Sequence, residues 1–132
     1  MTKNEIYMST DIESDGPCPG KNNMLSFATA AFTINKELIG TYWANLPTLD
    51  WCAPDSDTMN NFWAREPVAW QSCRHSLRSP ESVMPDYADW TRQHGGKPVF
   101  VAYPASFDFM YMAYYLHMFA GDNPFGFQAL DV

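Results

Sequence analysis

Ile6-Tyr7-Met8-Ser9-Thr10-Asp11-Ile12-Glu13-Ser14-Asp15-Gly16-Pro17 is the stretch from which the fold can be read. Ile6, Met8, Thr10 and Ile12 alternate with Tyr7, Ser9, Asp11 and Glu13, the two-residue period of a β-strand with one buried face. Ser14-Asp15-Gly16-Pro17 then supplies strong turn chemistry. Residues two apart on a strand share a side, so the Asp11 and Glu13 carboxylates project together and can converge on one cation. An isolated D-x-E pair is more often two solvated acids, so the weight of this pair depends on the rest of the chain.

Residues 24–32 (MLSFATAAF) and 38–44 (LIGTYWA) predict two more strands, separated by the polar Asn35-Lys36-Glu37. With the first strand they form an antiparallel meander. Residues 47–57 are turn-rich, and Asp57 or Thr58 is placed to cap a helix bearing Met59, Phe62 and Trp63. Pro67 interrupts that helix, with a second short piece over 68–74. Ser79-Pro80-Glu81 opens a clearer helix, with Val83, Tyr87, Trp90 and Thr91 at helical spacing and Gly95-Gly96 as its stop. Pro85 is expected to bend or shorten it. The apolar run 98–103 (PVFVAY) has the composition of a buried central strand. Ser106 or a neighbour then opens an aromatic-rich helix over 107–119, with Phe107, Tyr111, Tyr114 and Met118 as its expected buried stripe. Residues 125–132 begin a further strand or helix. A meander followed by alternating helix and strand is a mixed α/β domain.

The chain has 132 residues, of which 46% are apolar, enough for one core in a single domain over 1–132. The formal net charge of −7 excludes a broad electrostatic grip on duplex nucleic acid, which needs clustered Lys and Arg. Carboxylates that hold divalent cations can still act on phosphodiesters, because the metal supplies the positive field. No stretch approaches the roughly 20 apolar residues of a membrane span. The start of the chain also lacks a signal-peptide pattern, so a soluble cytoplasmic protein without membrane contact is expected. Cys18, Cys52 and Cys73 are scattered and read as reduced thiols.

Asp108 follows the apolar run at the start of a helix, where a lone Asp is ordinarily a dipole-favoured helix acid. Its placement together with Asp11 and Glu13 points instead to a site for Mg²⁺ or Mn²⁺, which take oxygen ligands. His75, His94 and His117 read as structural, and Arg74, His75 and Arg78 as a solvated charged face. Tyr111, Tyr114 and Tyr115 read as core. Phe62 and Trp63 are the better candidates for an aromatic wall against a terminal nucleotide.

Residues 11–16 resemble the first motif, D-x-E-x-x-G, of the DEDD-superfamily 3′–5′ exonucleases. Phe107-Asp108, followed by Met110 and Leu116, resembles the second, N-x-x-F-D. Strand 24–32, with Ala30-Ala31, is similar to the second strand of ribonuclease H-like domains. The nearest likeness is to small enzymes of the proofreading-subunit and ribonuclease T type. There are two departures. Tyr103 and Pro104 stand where the proofreading type carries His and Asn. Ala129-Leu130-Asp131 resembles the segment before the family's final helices, so the third motif, with the last metal-binding Asp and the general-base His or Tyr, would lie beyond Val132.

The resemblance implies a ribonuclease H-like α/β fold: an antiparallel three-stranded meander plus a parallel strand, flanked by helices, with the last helices missing. It implies a single exonuclease domain, incomplete at the C-terminus, that hydrolyses phosphodiester bonds from 3′ ends of single-stranded DNA or RNA. Asp11, Glu13 and Asp108 would be the catalytic and metal-binding residues for two Mg²⁺ or Mn²⁺ ions. Ile12, Ser14, Phe62 and Trp63 would contact substrate. Weak or no activity at this length, and a homodimer or partner covering the truncated face, are the corollaries. The alternative is a non-catalytic nucleic-acid or protein interaction module on the same fold, and metal affinity separates the two readings.

Overall fold

The structure is a computed structural model that describes residues 4–132. Five strands, β1 (Glu5–Ser14), β2 (Met24–Phe32), β3 (Leu38–Asn45), β4 (Lys97–Ala102) and β5 (Ala129–Asp131), form one sheet in the order β3-β2-β1-β4-β5. β1, β2 and β3 are the expected antiparallel meander. β4 lies parallel to β1, and the closing segment adds β5 parallel to β4. The mixed α/β architecture thus agrees with the ribonuclease H-like expectation. One consequence matters for the site: the C-terminal ends of β1, β4 and β5 all lie at the same end of the sheet.

The alternation in β1 sorts residues as the sequence predicts. Ile6, Met8, Thr10 and Ile12 are buried, whereas Ser9 and Asp11 are exposed. Helices α3 (Pro80–Thr91) and α4 (Ala105–Phe119) cover the buried face. Val83, Met84, Tyr87 and Ala88 from α3, with Tyr111, Met112, Tyr115 and Leu116 from α4, close over Met8, Phe27 and Phe100. The opposite face is open: Tyr7, Val99 and Val101 are only half-buried, and Ala28, Trp43 and Leu130 are exposed. β4 is therefore not buried on both faces as its apolar run suggests. Phe100 and Ala102 are its buried residues, because both long helices pack on one side of the sheet.

Other local expectations change in instructive ways. Helix α1 (Ser56–Asn61) is capped by Asp55, not Asp57 or Thr58. The Asp55 carboxylate accepts from the Thr58 N–H at 3.0 Å and the Thr58 hydroxyl at 2.8 Å. Asp55-Ser56-Asp57-Thr58 offers four cap-type residues in a row, and the choice is made at a distance by the Asp55 N–H donating to the Asp15 carbonyl. After a 3-10 turn at Trp63–Arg65, helix α2 (Pro67–Ser72) begins at Pro67. There the missing N–H removes no hydrogen bond. Helix α3 starts at Pro80 under the Ser79 cap and runs unshortened through Pro85. Burial of Val83, Met84, Tyr87 and Ala88 around that proline outweighs its lost backbone bond.

The buried stripe of α4 is rotated from the expected one. Ala105, Asp108, Tyr111, Met112, Tyr115 and Leu116 are buried, while Phe107 and Tyr114 are half-buried and Met118 is exposed. Positions 108, 111, 112, 115 and 116 are an i, i+3, i+4, i+7, i+8 series, so Asp108 lies in line with the core-facing residues. A helix this uniformly apolar hides its inner face from sequence inspection.

A chain of hydroxyls crosses the core beneath α3. Tyr87 Oη lies 2.7 Å from Thr29 Oγ1, which lies 2.9 Å from Thr10 Oγ1, and Thr10 donates to the Met8 carbonyl at 3.0 Å. Removing one end leaves a buried group without its partner, which costs roughly 1–3 kcal/mol. Tyr87→Phe is expected to lower unfolding stability by roughly 1–2 kcal/mol, measured as a lower urea midpoint at unchanged slope.

Candidate active site

β1 is longer than its parallel neighbour. The last β1–β4 pair is Ser9 with Val101, and β1 then continues to Ser14 while β4 stops at Ala102. Beyond that point a backbone donor of β1 must find another acceptor. The Ile12 N–H donates to Asp108 Oδ2 at 3.0 Å. Asp108, in the first turn of α4, is 4% exposed, and this contact places it at the strand's edge between Asp11 and Glu13 in sequence.

The same face of α4 fastens the turn that follows β1. Tyr111 Oη donates to the Gly16 carbonyl at 2.7 Å, and Tyr115 Oη accepts from the Met24 N–H at 2.9 Å. The turn is also held from within. The Asp15 carboxylate accepts from the Asn23 N–H at 2.6 Å and the Asn23 side-chain amide at 2.8 Å, and Asn23 Oδ1 accepts from the Leu49 N–H at 2.7 Å. Position 16 requires glycine because a Cβ there would overlap the Asn22 carboxamide.

Asp11 is exposed and Glu13 half-buried, on the face of β1 away from the core. Burial pushes the Glu13 carboxyl above its ordinary value, and the charges of Asp11 and then Asp108 raise it further. Burial also pushes Asp108 up to about 6; the Ile12 N–H works against this, and the Asp11 charge adds to it. Among the described residues the salt bridge found joins Arg92 to Asp122, so no basic side chain pairs with the three acids. No three His, Cys, Asp or Glu side chains among the described residues form a ready metal cage. The donor set itself, carboxylate oxygens without nitrogen or sulfur, suits a hard cation such as Mg²⁺ or Mn²⁺.

The other expected site residues fall out differently. Phe62 is 46% exposed and meets Trp63 edge-on, with ring centroids 4.8 Å apart. Trp63 is buried against Leu25 and Cys73, and its indole N–H donates to the Ser14 carbonyl at 3.0 Å. Its ring is therefore a brace behind the end of β1, not a free wall. The Ile12 side chain belongs to the core, and the Ser14 hydroxyl donates to the Gly16 carbonyl. Neither side chain projects freely toward a substrate.

The basic residues serve the structure, but the expected solvated face holds only for the exposed His75 and Arg78, because Arg74 is drawn partly into the interior by two backbone carbonyls. Arg74 donates to the Leu25 and Leu46 carbonyls, and Arg78 donates to the Trp43 carbonyl while lying over the Tyr42 ring. His94 stands edge-on to Trp90, His75 lies beside Ser76, and His117 is in the last turn of α4. No histidine is among the charges acting on Glu13 or Asp108. Sequence reasoning placed Tyr111 and Tyr115 in the core but missed their hydroxyls, for which spacing gives no signal. A concavity of about 960 Å³ lies at the other end of β1 and β4 beside Glu5, Lys97 and Phe125, and none of the three acids lines it.

No protein-family model matches the chain. A curated relative, the 3′–5′ DNA exonuclease Cap18 of Escherichia coli, is 32% identical over 142 residues, covering 99% of this chain and 67% of the relative. Among solved structures, E. coli exonuclease I in complex with a dT13 oligonucleotide aligns at a TM-score of 0.71 and 13% identity, over 96% of this chain and 27% of that one. Exonuclease I without ligand aligns equally well, at 0.71 over 97% of this chain and 28% of that one. The chain thus spans about two thirds of the curated relative and little more than a quarter of exonuclease I. At such low identity the structural likeness speaks to the fold alone.

Asp108 yields a pH prediction. Its pKa in the folded state is raised above the unfolded value of a carboxyl, so the stability tied to its protonated form is complete below about pH 4 and is lost as pH rises through about 6. Asp108→Asn keeps an acceptor for the Ile12 N–H without the charge. In metal-free buffer the variant is expected to be more stable than the parent by roughly 1–3 kcal/mol at pH 7.5. The gain should shrink steadily toward pH 4, as followed by thermal melts across that range.

Proposed function

Because this chain belongs to the DEDD-type 3′–5′ exonuclease family, we propose that it carries the metal-binding acids of an enzyme that hydrolyses phosphodiester bonds from the 3′ ends of single-stranded nucleic acid. The observation that carries this reading is the buried Asp108 carboxylate bound to the Ile12 N–H between Asp11 and Glu13, with no basic side chain among the described residues paired to the three acids. Burial first, and then the neighbouring acids, raise the pKa values of Glu13 and Asp108, and a divalent cation would relieve that penalty.

Asp11, Glu13 and Asp108 would hold Mg²⁺ or Mn²⁺, two ions in a complete site. Bound there, the ions would lower the pKa of the attacking water and offset charge on the leaving 3′ oxygen. The chain's own contribution is to fix the carboxylates: the β1 backbone orients Asp11 and Glu13, and the Ile12 N–H holds Asp108. Phe62 is the exposed ring that would face a terminal base. No histidine of this chain is assigned as the base, and general-base assistance contributes about 10²–10⁴-fold. Hydrolysis by this chain is therefore expected to be slow. The curated relative is a DNA exonuclease by name, and DNA is the substrate we infer. The open sheet face bearing Tyr7, Val99, Val101 and Leu130 supports association through that face, which concentration-dependent light scattering would detect.

Two measurements test the reading. At 100 times its dissociation constant, Mn²⁺ should stabilise the parent by about 2.7 kcal/mol, and Asp11→Asn and Asp108→Asn should sharply weaken that response. With Mn²⁺ present, a 5′-labelled single-stranded DNA should shorten slowly from its 3′ end, an RNA of the same sequence more slowly still, and the Asp11→Asn variant should leave both intact. A melting temperature indifferent to Mn²⁺ would instead favour a non-catalytic interaction module.

A further inference from the structure

Helix α4 begins without a cap of its own. Pro104 occupies the N-cap position and has no side-chain acceptor, although the first N–H groups of any helix need partners from outside it. The acceptor comes from 26 residues further on. Asp131 Oδ1 accepts from the Ala105 N–H at 2.7 Å. Asp131 is held there by β5, where it pairs with Ala102, and the Val132 N–H donates to the Ala102 carbonyl at 3.1 Å. Its carboxylate thus lies at the positive end of the helix.

We propose that Asp131 is a positioning residue for Asp108. Ala105 and Asp108 are three residues apart in the first turn of α4 and both belong to its buried stripe. A carboxylate that fixes the Ala105 N–H sets the height and rotation of that turn, and so the reach of Asp108 to the Ile12 N–H. β5 is only three residues long, yet it delivers this group to the end of the sheet where Asp11 and Glu13 end β1. The inference rests on the reading of Asp108 as a site residue, but its geometry can be tested without metal.

The test compares the full chain with Asp131→Ala and Asp131→Asn, the latter retaining an acceptor oxygen suited to a helix cap. The first readout is amide hydrogen exchange without metal. Ile12 should exchange several-fold faster in Asp131→Ala while the amides of β2 and β3 keep their rates, and Asp131→Asn should stay close to the parent. The second is Mn²⁺ titration followed by melting temperature. The midpoint should move about tenfold higher in Asp131→Ala, as when an outer partner of a metal ligand is lost, and Asp131→Asn should hold it near the parent value. An Ile12 amide that exchanges at the parent rate in Asp131→Ala, or that accelerates only in step with every slow amide, overturns the proposal. If the parent shows no Mn²⁺ response while Ile12 behaves as expected, the positioning role stands and the proposed function falls.

Discussion

The hydrogen bond from the Ile12 N–H to Asp108 is the joint on which the site depends. It links residues 96 apart in sequence and exists because β1 outlasts its parallel neighbour, leaving a strand donor for a side chain to claim. The two partners need one another. A buried ionised carboxylate without hydrogen bonds is prohibitively costly, and an orphaned strand N–H is costly too. Tyr111 and Tyr115 extend the joint from the same helix to the turn after β1 and the start of β2. The acid on the helix, the acids on the strand and the turn between strands are therefore assembled as one unit.

That assembly works against the metal-free protein. Asp11, Glu13 and Asp108 bring like charges to the margin of the core, and among the described residues no lysine or arginine pairs with them. Strain of this kind is a familiar cost of active sites, where function is retained at the expense of stability. The rest of the domain offsets it with ordinary means: a core shared by two helices and one sheet face, and buried hydroxyls that find one another.

The parts of this arrangement legible in sequence were those set by short periods. Two-residue alternation in 6–13 placed Asp11 and Glu13 outside and Ile12 inside, and Ser79-Pro80 marked the start of α3 correctly. The inner face of α4 was not legible, because nearly every residue of that helix is apolar and the stripe is chosen by which residues the sheet accepts. Nor was the fate of Trp63, whose indole serves the Ser14 carbonyl across a distance of 49 residues. The cap of α4 lay equally out of sight. Local spacing pointed to Ser106, while the acceptor in use belongs to the next strand. What escaped the sequence was in each case a partnership over long range.

The meander also determines where this chain can change length. In the connection between β2 and β3, Lys36 adopts a positive φ of 66° and Ile34 is largely exposed, so an added or lost residue there disturbs only solvent-facing backbone. β1 has no such freedom. Inserting one residue between Met8 and Asp11 forces a choice: keep Met8 and Ile6 inside and turn Asp11 and Glu13 into the core, or keep the acids outside and break the pairing with β4. The hydrophobic residues of β1 thereby act as a reading frame for its carboxylates. The hairpin between β2 and β3 can thus change length at little cost, whereas a single-residue indel upstream of Asp11 in β1 would displace both carboxylates at once.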